Sequence, residues 1–571
     1  MLLLRLLFLT AGAAFVTSAP LEDLVESLPD FGPPPTSQFS GYLDGTAGCD
    51  TAANGDFCKI HYWLALAEEN PLEKPVVLWL NGGPGSTSIL GFVQENGPLL
   101  INNDGGLMEN PWSWTKIANV FVIESPIGVG YSYCANQLEG KTCQNTDKFT
   151  ASTSRAALQD FFQKFPEFAS NEFFITGESY AGVYIPTLSK EILDNAPEIN
   201  LVGIAVGDPC TDNNAQMDSM DALWYGHKYG LVDDAVFDLL WNHCDARSST
   251  IEARGGKHLA AAELNDHLLN GVVGLSKEEL HDYAHAMHRR LSTDPGPKFK
   301  DSPECVLALR KFILSTSSAL SQSWKDLYID DYSLFAPVTN KEDDDMAAYF
   351  SRADVRRALN VEETPVESWP YDPKIGFHYQ KEYDACNWKT PEGALSMIDF
   401  YKNIVPRLRT TFVYNGDTDP CVSYEGTRTA IKRVGFPELD GGSYRPWFYN
   451  QTAAPLEFLA EKAPLFGPNL LVQEMGAQFG GEITSYEHGL SFLTFHGTLS
   501  PFGLIFSLTA GLVTHSSLLL SYTIGSGHMV SLHLSCYEAV QYGFNFSRCR
   551  FTSHRSPNSV RRPHFTCSTS Y

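Results

Sequence analysis

Three features of this chain call for an α/β architecture, with a mostly parallel central sheet, helices on both of its faces and a helical cap insertion. Unbroken apolar runs of strand length recur, each closing on glycine or a polar turn. Such runs fit central parallel strands, which are buried on both faces and so do not alternate in polarity. Amphipathic stretches separate them in the first part of the chain, in the rhythm of strand, helix, strand. Beyond residue 210 the pattern turns helical, and strand signals resume only after residue 345.

The chain has 571 residues, enough for one large domain with an insertion or for two domains. A hydrophobic content of 43% supports a substantial core. The formal net charge of −26 argues against nucleic acid as a partner and suits an acidic lumen or extracellular fluid. Residues 1–19 read as a secretory signal: Arg5 sits in a leucine-rich run, Val16-Thr17-Ser18-Ala19 offers small residues for cleavage, and Pro20 ends a run too short for an anchor. The expected destination is the secretory pathway, either secretion or a vacuolar or lysosomal compartment. There the 12 cysteines fit disulfides. Cys49 with Cys58 and Cys134 with Cys143 could close short local loops. No C-x-x-C pair appears, which argues against structural zinc. Asn450-Gln451-Thr452 is a glycan acceptor sequence, and Asn545-Phe546-Ser547 is a second.

Phe39-Ser40-Gly41-Tyr42-Leu43 and residues 60–66 read as paired strands around a cysteine-bearing turn. Pro75-Val76-Val77-Leu78-Trp79-Leu80 is a central strand. It runs into Asn81-Gly82-Gly83-Pro84-Gly85-Ser86, a loop whose backbone N–H groups could face an anion. Residues 119–123 give the next central strand. Residues 150–165 form an amphipathic helix, with Thr150 as N-cap and Ala157, Leu158, Phe161 and Phe162 on one face. Phe173-Phe174-Ile175-Thr176-Gly177-Glu178-Ser179-Tyr180-Ala181-Gly182 then reads as strand, tight turn and helix start, with Ser179 at the tip. Small neighbours let a backbone turn sharply there and expose a hydroxyl, although Ala181 stands where G-x-S-x-G has its second glycine. By itself, that segment is equally a strand-to-helix turn that happens to hold a serine. Residues 201–208 supply the following strand.

Residues 211–345 read as the cap, with helices at 234–242, 257–269, 277–291 and 304–315, lying over the sheet's carboxyl edge. His281, Asp282, His285 and His288 share a helix face without the further ligands a metal shell needs, so no metal is expected. Residues 346–540 resume the core, first with a short helix near Asp354. Thr411-Phe412-Val413-Tyr414-Asn415-Gly416-Asp417-Thr418-Asp419 ends a late strand in carboxylates, the place for the acid of a Ser…Asp…His order. Strand and turn leave Asp417 and Asp419 both open. Gly525-Ser526-Gly527-His528-Met529-Val530 brings a histidine after both.

The set Asn81-Gly82-Gly83-Pro84-Gly85, Glu95-Asn96-Gly97-Pro98, Gly177-Glu178-Ser179-Tyr180-Ala181-Gly182, Gly416-Asp417-Thr418-Asp419 and Gly527-His528-Met529-Val530 resembles the serine carboxypeptidase family. Tyr444-Arg445-Pro446-Trp447 is similar to a further family segment. The resemblance implies an α/β-hydrolase fold with a helical insertion and the release of single C-terminal residues from peptides and proteins at acidic pH, without a cofactor. It implies Ser179 as nucleophile, His528 as base and Asp419, the second aspartate of the turn, as the triad acid. Asp417 would then hydrogen-bond the turn. By the same resemblance, the N–H groups of Gly83 and Tyr180 form the oxyanion hole. Asn81, Glu95 and Glu178, with the N–H of Gly82, bind the substrate's terminal carboxylate. Two glutamates there must be protonated to donate, so peptide binding is expected to be best in acid. A homodimer is compatible with the sequence. An acyltransferase or esterase with the same triad, or a non-catalytic homologue, are the alternative readings.

The last part departs from the family. In relatives a strand like residues 490–497 runs almost directly into the Ser-Gly-His turn, whereas here the apolar, uncharged segment 498–525 intervenes. Removing it restores Phe495-His496-Gly497-Ser526-Gly527-His528. After Glu487 the only acid is Glu538, while Arg548, Arg550, Arg555, Arg561 and Arg562 crowd the end, and residues 541–571 read as a non-native basic tail. Both segments are expected to be translated intron. A membrane span at 504–522 is the other reading.

Overall fold

The structure, a computed structural model, describes residues 19–102, 105–244, 303–316, 341–370, 375–386, 390–419, 421–439, 444–450, 477–496, 520–524 and 528–532. The chain divides into two compact units, Met1–Thr509 and Ala510–Tyr571, each taken by itself.

The first unit is built on one large sheet. In chain order its main strands are β1 (Gln38–Asp44), β2 (Cys58–Ala65), β3 (Val76–Leu80), β4 (Asn119–Ile123), β5 (Phe173–Glu178), β6 (Leu201–Gly207), β7 (Thr410–Gly416), β8 (Arg445–Asn450), β9 (Ala477–Ser485) and β10 (Leu490–Phe495), and a short strand Tyr133–Cys134 pairs with β2. Their spatial order is β1-β2-β4-β3-β5-β6-β7-β10-β9-β8. From β4 through β10 neighbours run parallel, while the strands at either edge are antiparallel. β1 and β2 pair as expected, Gln38 opposite Ala65. The connection between them is closed by the Cys49–Cys58 disulfide, and Cys134–Cys143 closes a second short loop.

The mostly parallel sheet with helices matches the architecture read from the sequence, and both of its faces are covered. On one face Phe121 of β4 stacks on Phe161 at 4.3 Å between ring centroids. Phe161 belongs to α1 (Asp147–Lys164), which packs beside α2 (Ala181–Asn195); α3 (Met397–Ile404) and α4 (Tyr424–Val434) follow. On the other face Trp63 meets Phe92 of the helix Ile89–Gln94, and Trp79 meets Trp114. This two-sided burial is why β3 is apolar at every position and why its parallel neighbours are mostly apolar.

α1 begins earlier than expected. Thr146, not Thr150, is its N-cap: Thr146 has extended backbone and its hydroxyl accepts from the Phe149 N–H at 3.2 Å. Thr150 is already helical and buried, so its oxygen cannot serve the first turn. Of the expected apolar face, Ala157, Leu158 and Phe161 are buried, whereas Phe162 is half-buried against Phe173.

Within the cap, Ala222–Lys228, Asp234–Asp238 and Pro303–Thr316 are helical. The Cys244–Cys305 disulfide ties two of its segments together beside Val236, Leu240, Trp241 and Phe312. Lys341–Ser351 and Ala353–Ala358 lead back to the core. The segments 257–269 and 277–291, with His281, Asp282, His285 and His288, lie outside the described residues, as do residues 1–18, 541–571 and Asn545. Asn450 closes β8, while Gln451 and Thr452 are outside.

The second unit contributes one hairpin, Leu520–Ile524 antiparallel to His528–Leu532. Residues 520–522 of the apolar run 504–522 are therefore strand, and the rest of that run lies outside the described residues. Among the described residues no helix is long and apolar enough to cross a membrane.

Candidate active site

The site forms where strand order reverses. From β3 the chain goes to β4 on one side, and then to β5 on the other. Loops leaving adjacent strands there part in opposite directions and open a crevice at the carboxyl ends. Ser179 sits at that point, directly after β5, with φ +60. A left-handed serine between a strand and a helix is the strained geometry of a nucleophile elbow. Backbone hydrogen bonds hold it: the Ser179 N–H donates to Gly207 O at 3.0 Å, and its carbonyl accepts from Gly182 N (2.9 Å) and Cys210 N (3.0 Å). Cys210 is fixed in turn by its disulfide to Cys386.

The glycine loop after β3 lies against this elbow. A Cβ on Gly82 would stand 2.3 Å from the Tyr180 nitrogen and 2.9 Å from Ser179 Cβ. Only a residue without a side chain allows that approach. Gly82, Gly83 and Tyr180 are thereby brought to Ser179. Among the described residues neither the Gly83 nor the Tyr180 N–H has an intramolecular acceptor.

Asn81, Glu95 and Glu178 also converge. Asn81 Oδ1 accepts from Trp79 Nε1 (2.9 Å) and Gly91 N (3.0 Å), which fixes its amide. Its Nδ2 then donates to Glu178 Oε1 at 2.8 Å. Glu95 is buried and its Oε2 has no hydrogen-bond partner among the described residues. Burial, and next the charge of Glu178, hold the Glu95 carboxyl well above the ordinary carboxylate range. Burial pushes Glu178 up to about 7, against the pull of the Asn81 hydrogen bond and with a further push from Asp419.

The two aspartates of the β7 turn have different surroundings. Asp417 Oδ2 pairs with His496 Nδ1 at 2.9 Å, on the side of β10. Its carboxylate engages that imidazole. Asp419 bonds the turn, its Oδ1 accepting from Cys421 N (2.7 Å) and Val422 N (3.2 Å). Asp419 also interacts electrostatically with Glu178 and with Asp208. Asp208 escaped sequence reasoning. Its signal was an acid at the end of an apolar central strand, a position where only a partner justifies a charge.

His528 begins the second strand of the second unit's hairpin, and its side chain lies outside the described residues. A different serine, histidine and carboxylate do line up elsewhere. Ser40 Oγ and His61 Nε2 are 2.9 Å apart, and His61 Nδ1 and Glu124 Oε2 are 2.9 Å apart. All three are completely buried, and the Ser40 hydroxyl donates to Leu359 O at 2.7 Å. Glu124 is saturated by Thr87, Trp369 Nε1 and the Tyr131 N–H. With no route for substrate and its donor committed, this set braces the core.

The family model described as serine carboxypeptidase matches residues 29–498. The chain belongs to the serine carboxypeptidase family. Serine carboxypeptidase-like 20 of Arabidopsis thaliana is 31% identical over 463 residues, 76% of this chain and 86% of that protein. Serine carboxypeptidase 1 of Hordeum vulgare is 29% identical over 503 residues, 84% of this chain and 89% of its own length. The lysosomal protective protein of Mus musculus is 39% identical over 247 residues, 43% of this chain and 49% of that one. A prohormone-processing carboxypeptidase of Saccharomyces cerevisiae shares the fold, with a TM-score of 0.55 at 18% identity, covering 87% of this chain and 94% of that one. Membership makes the protein a serine-type carboxypeptidase, a hydrolase whose substrates are peptides or proteins. The family match stops at residue 498, where the apolar segment begins.

Proposed function

We propose that this carboxypeptidase removes C-terminal residues one at a time by a Ser179–His528–Asp419 acyl-enzyme mechanism that works best in acid. The observation that carries the reading is the Asn81–Glu178 hydrogen bond with Glu95 beside it, at the foot of the nucleophile. An endopeptidase or esterase has no use for buried, protonated acids there. An exopeptidase must seat a free carboxylate, and a protonated glutamate can donate to it where an ionised one repels it. Ser179 Oγ attacks the last peptide carbonyl while His528 takes its proton, then returns it to the leaving amino acid. Asp419 holds the imidazole tautomer. The N–H groups of Gly83 and Tyr180 receive the oxyanion, and loss of one such donor costs about 3 kcal/mol of barrier.

In this reading residues 498–525 and those after Val530 are translated intron, so that His528 follows β10 closely. The protein enters the secretory pathway and acts in a vacuolar or lysosomal lumen or outside the cell. The test is turnover of an N-terminally blocked dipeptide at pH about 5, beside its C-terminal amide and a simple ester. Release of the last amino acid, slow cleavage of the amide and none by Ser179→Ala is the expected result. Ester cleavage or acyl transfer without amino-acid release, or undiminished turnover by Ser179→Ala, overturns it.

A further inference from the structure

The cap reaches the turn that carries Asp419 through one short helix, Ala222–Lys228, and the residue after it. Trp224 and Lys228 form one row on that helix, Tyr225 and Tyr229 the next, because residues at i and i+4 share a face. In the first row, Trp224 Nε1 donates to Glu425 Oε2 at 2.9 Å. Lys228 Nζ lies 3.5 Å from Glu425 Oε1 and 3.9 Å from the centre of the Tyr424 ring. Tyr424 and Glu425 open α4, just past Asp419. In the second row, Tyr225 donates its hydroxyl to the Thr418 carbonyl, and Tyr229 donates to the Asp417 carbonyl. The two rings lie 4.6 Å apart between centroids, and Tyr225 is buried.

The core holds the other side of the same turn. Asp208, the first residue past β6, accepts through Oδ1 from Asn415 Nδ2 and Gly416 N, both at 3.0 Å. Asp417 N donates to Phe495 O of β10 at 2.8 Å. The core thus answers the N–H groups of Gly416 and Asp417, while the cap answers the carbonyls of Asp417 and Thr418. A backbone carbonyl shielded from water needs a donor. These two take theirs from side chains 188 and 193 residues earlier in the chain. Burial above all raises the pKa of both phenols, so each hydroxyl stays a donor over the range in which a peptidase works.

We propose that Tyr225 and Tyr229 are positioning residues for the peptidase reaction: through their two hydroxyls the cap sets the backbone of the Asp417–Thr418–Asp419 turn, and with it the aim of the triad acid. The proposal rests on the assignment of Asp419 as that acid. An acid that orients an imidazole tolerates little displacement. Without the two donors, the carbonyls must turn toward other partners, and Asp419 moves with them. Asn81 and Glu178 bond each other apart from these phenols, so the seat for the substrate's carboxylate is left as it was. The insertion then serves the chemical step itself, separately from any contact it makes with substrate.

The experiment makes Tyr225→Phe, Tyr229→Phe and the double variant in the full chain, with and without Asp419→Asn. It reads kcat and KM for a blocked dipeptide, together with amide exchange in the segments 415–424 and 173–195. Phenylalanine keeps the ring and removes only the hydroxyl. The double variant is expected to lose kcat about tenfold or more, with KM within about twofold of the wild type. Exchange in 415–424 should quicken about tenfold while 173–195 stays level. Asp419→Asn is expected to cut kcat about a thousandfold or more. Added to it, the two phenylalanines should cost less than about twofold more, because no acid is left to aim. A merely structural pair would cost the same factor in both backgrounds, and that equality overturns the proposal. So does wild-type kcat in the double variant, or unchanged exchange in 415–424. If the double variant does not fold, the single variants carry the same comparison, each with an expected kcat loss of about threefold. Asp419→Asn with wild-type kcat removes the triad-acid assignment and the positioning role with it, whereas a large loss there beside undiminished turnover by the phenylalanine variants removes the positioning role alone.

Discussion

In the proposed carboxylate site, Glu178 would link binding to pH through one proton. Its raised pKa of about 7 means that the carboxyl is protonated in acid and ionised above neutrality. Peptide KM is therefore expected to be lowest in acid and to rise as pH passes about 7, approaching tenfold per unit. Glu178→Gln keeps the shape and cannot ionise, so its KM should stay level over the same range; a KM that rises equally in both proteins rules this out. Ser179 could be picked out from its strand-to-helix turn, and Asn81, Glu95 and Glu178 from the family motifs that hold them. Asp208 was not, since its partners Asn415 and Gly416 belong to a strand far along the chain. The pairing of Asp417 with His496 was hidden for the same reason.

At the scale of elements, the elbow and the glycine loop work as one piece. Gly82→Ala would press a methyl group onto the Tyr180 nitrogen, a backbone atom that cannot swing aside. A kcat loss of about 100-fold or more is expected, measured on protein whose circular dichroism matches the wild type. At the far end of α1, Thr146→Ala removes a cap and should lower unfolding free energy by about 1 kcal/mol in a denaturant titration, leaving KM unaltered. The central strands could be read directly, because burial on both faces leaves an unbroken apolar run. The start of α1 could not: Thr146 and Thr150 are both acceptable caps, and only the strand Cys143–Thr146 ending at the first of them decides.

For the molecule as a whole, pH acts through buried acids and through charge. Asp208, Glu95 and Glu178 all hold their protons more tightly in the folded state. Their contribution to stability is complete below the ordinary carboxylate pKa and fades as pH rises through the folded values. The net charge of −26 adds self-repulsion in the same direction. Melting is thus expected at a higher temperature at pH about 5 than at pH about 8. The segment 498–525 is the other property at this scale. Deleting it joins Gly497 to Ser526 and brings His528 close behind β10; kcat of the deletion variant is expected to exceed that of the full chain by about tenfold or more. Transcript reads that run through both boundaries without a junction count against the intron origin. Its own residues are apolar and uncharged, and it is the motifs on either side of it that mark it as an intervening stretch.

The bond between Cys210 and Cys386 spans 176 residues, and one end of it grips the backbone strap that carries the carbonyl of Ser179. A thiol-rich medium would slacken that strap while the strands remain paired. A molecule stranded in the cytosol would then be disarmed before it unravelled. The Cys210→Ser, Cys386→Ser double variant should reproduce that state, losing turnover at a temperature where its circular dichroism is still intact. Confinement of this protease would in that case be written into its covalent chemistry, beyond whatever sorting delivers it.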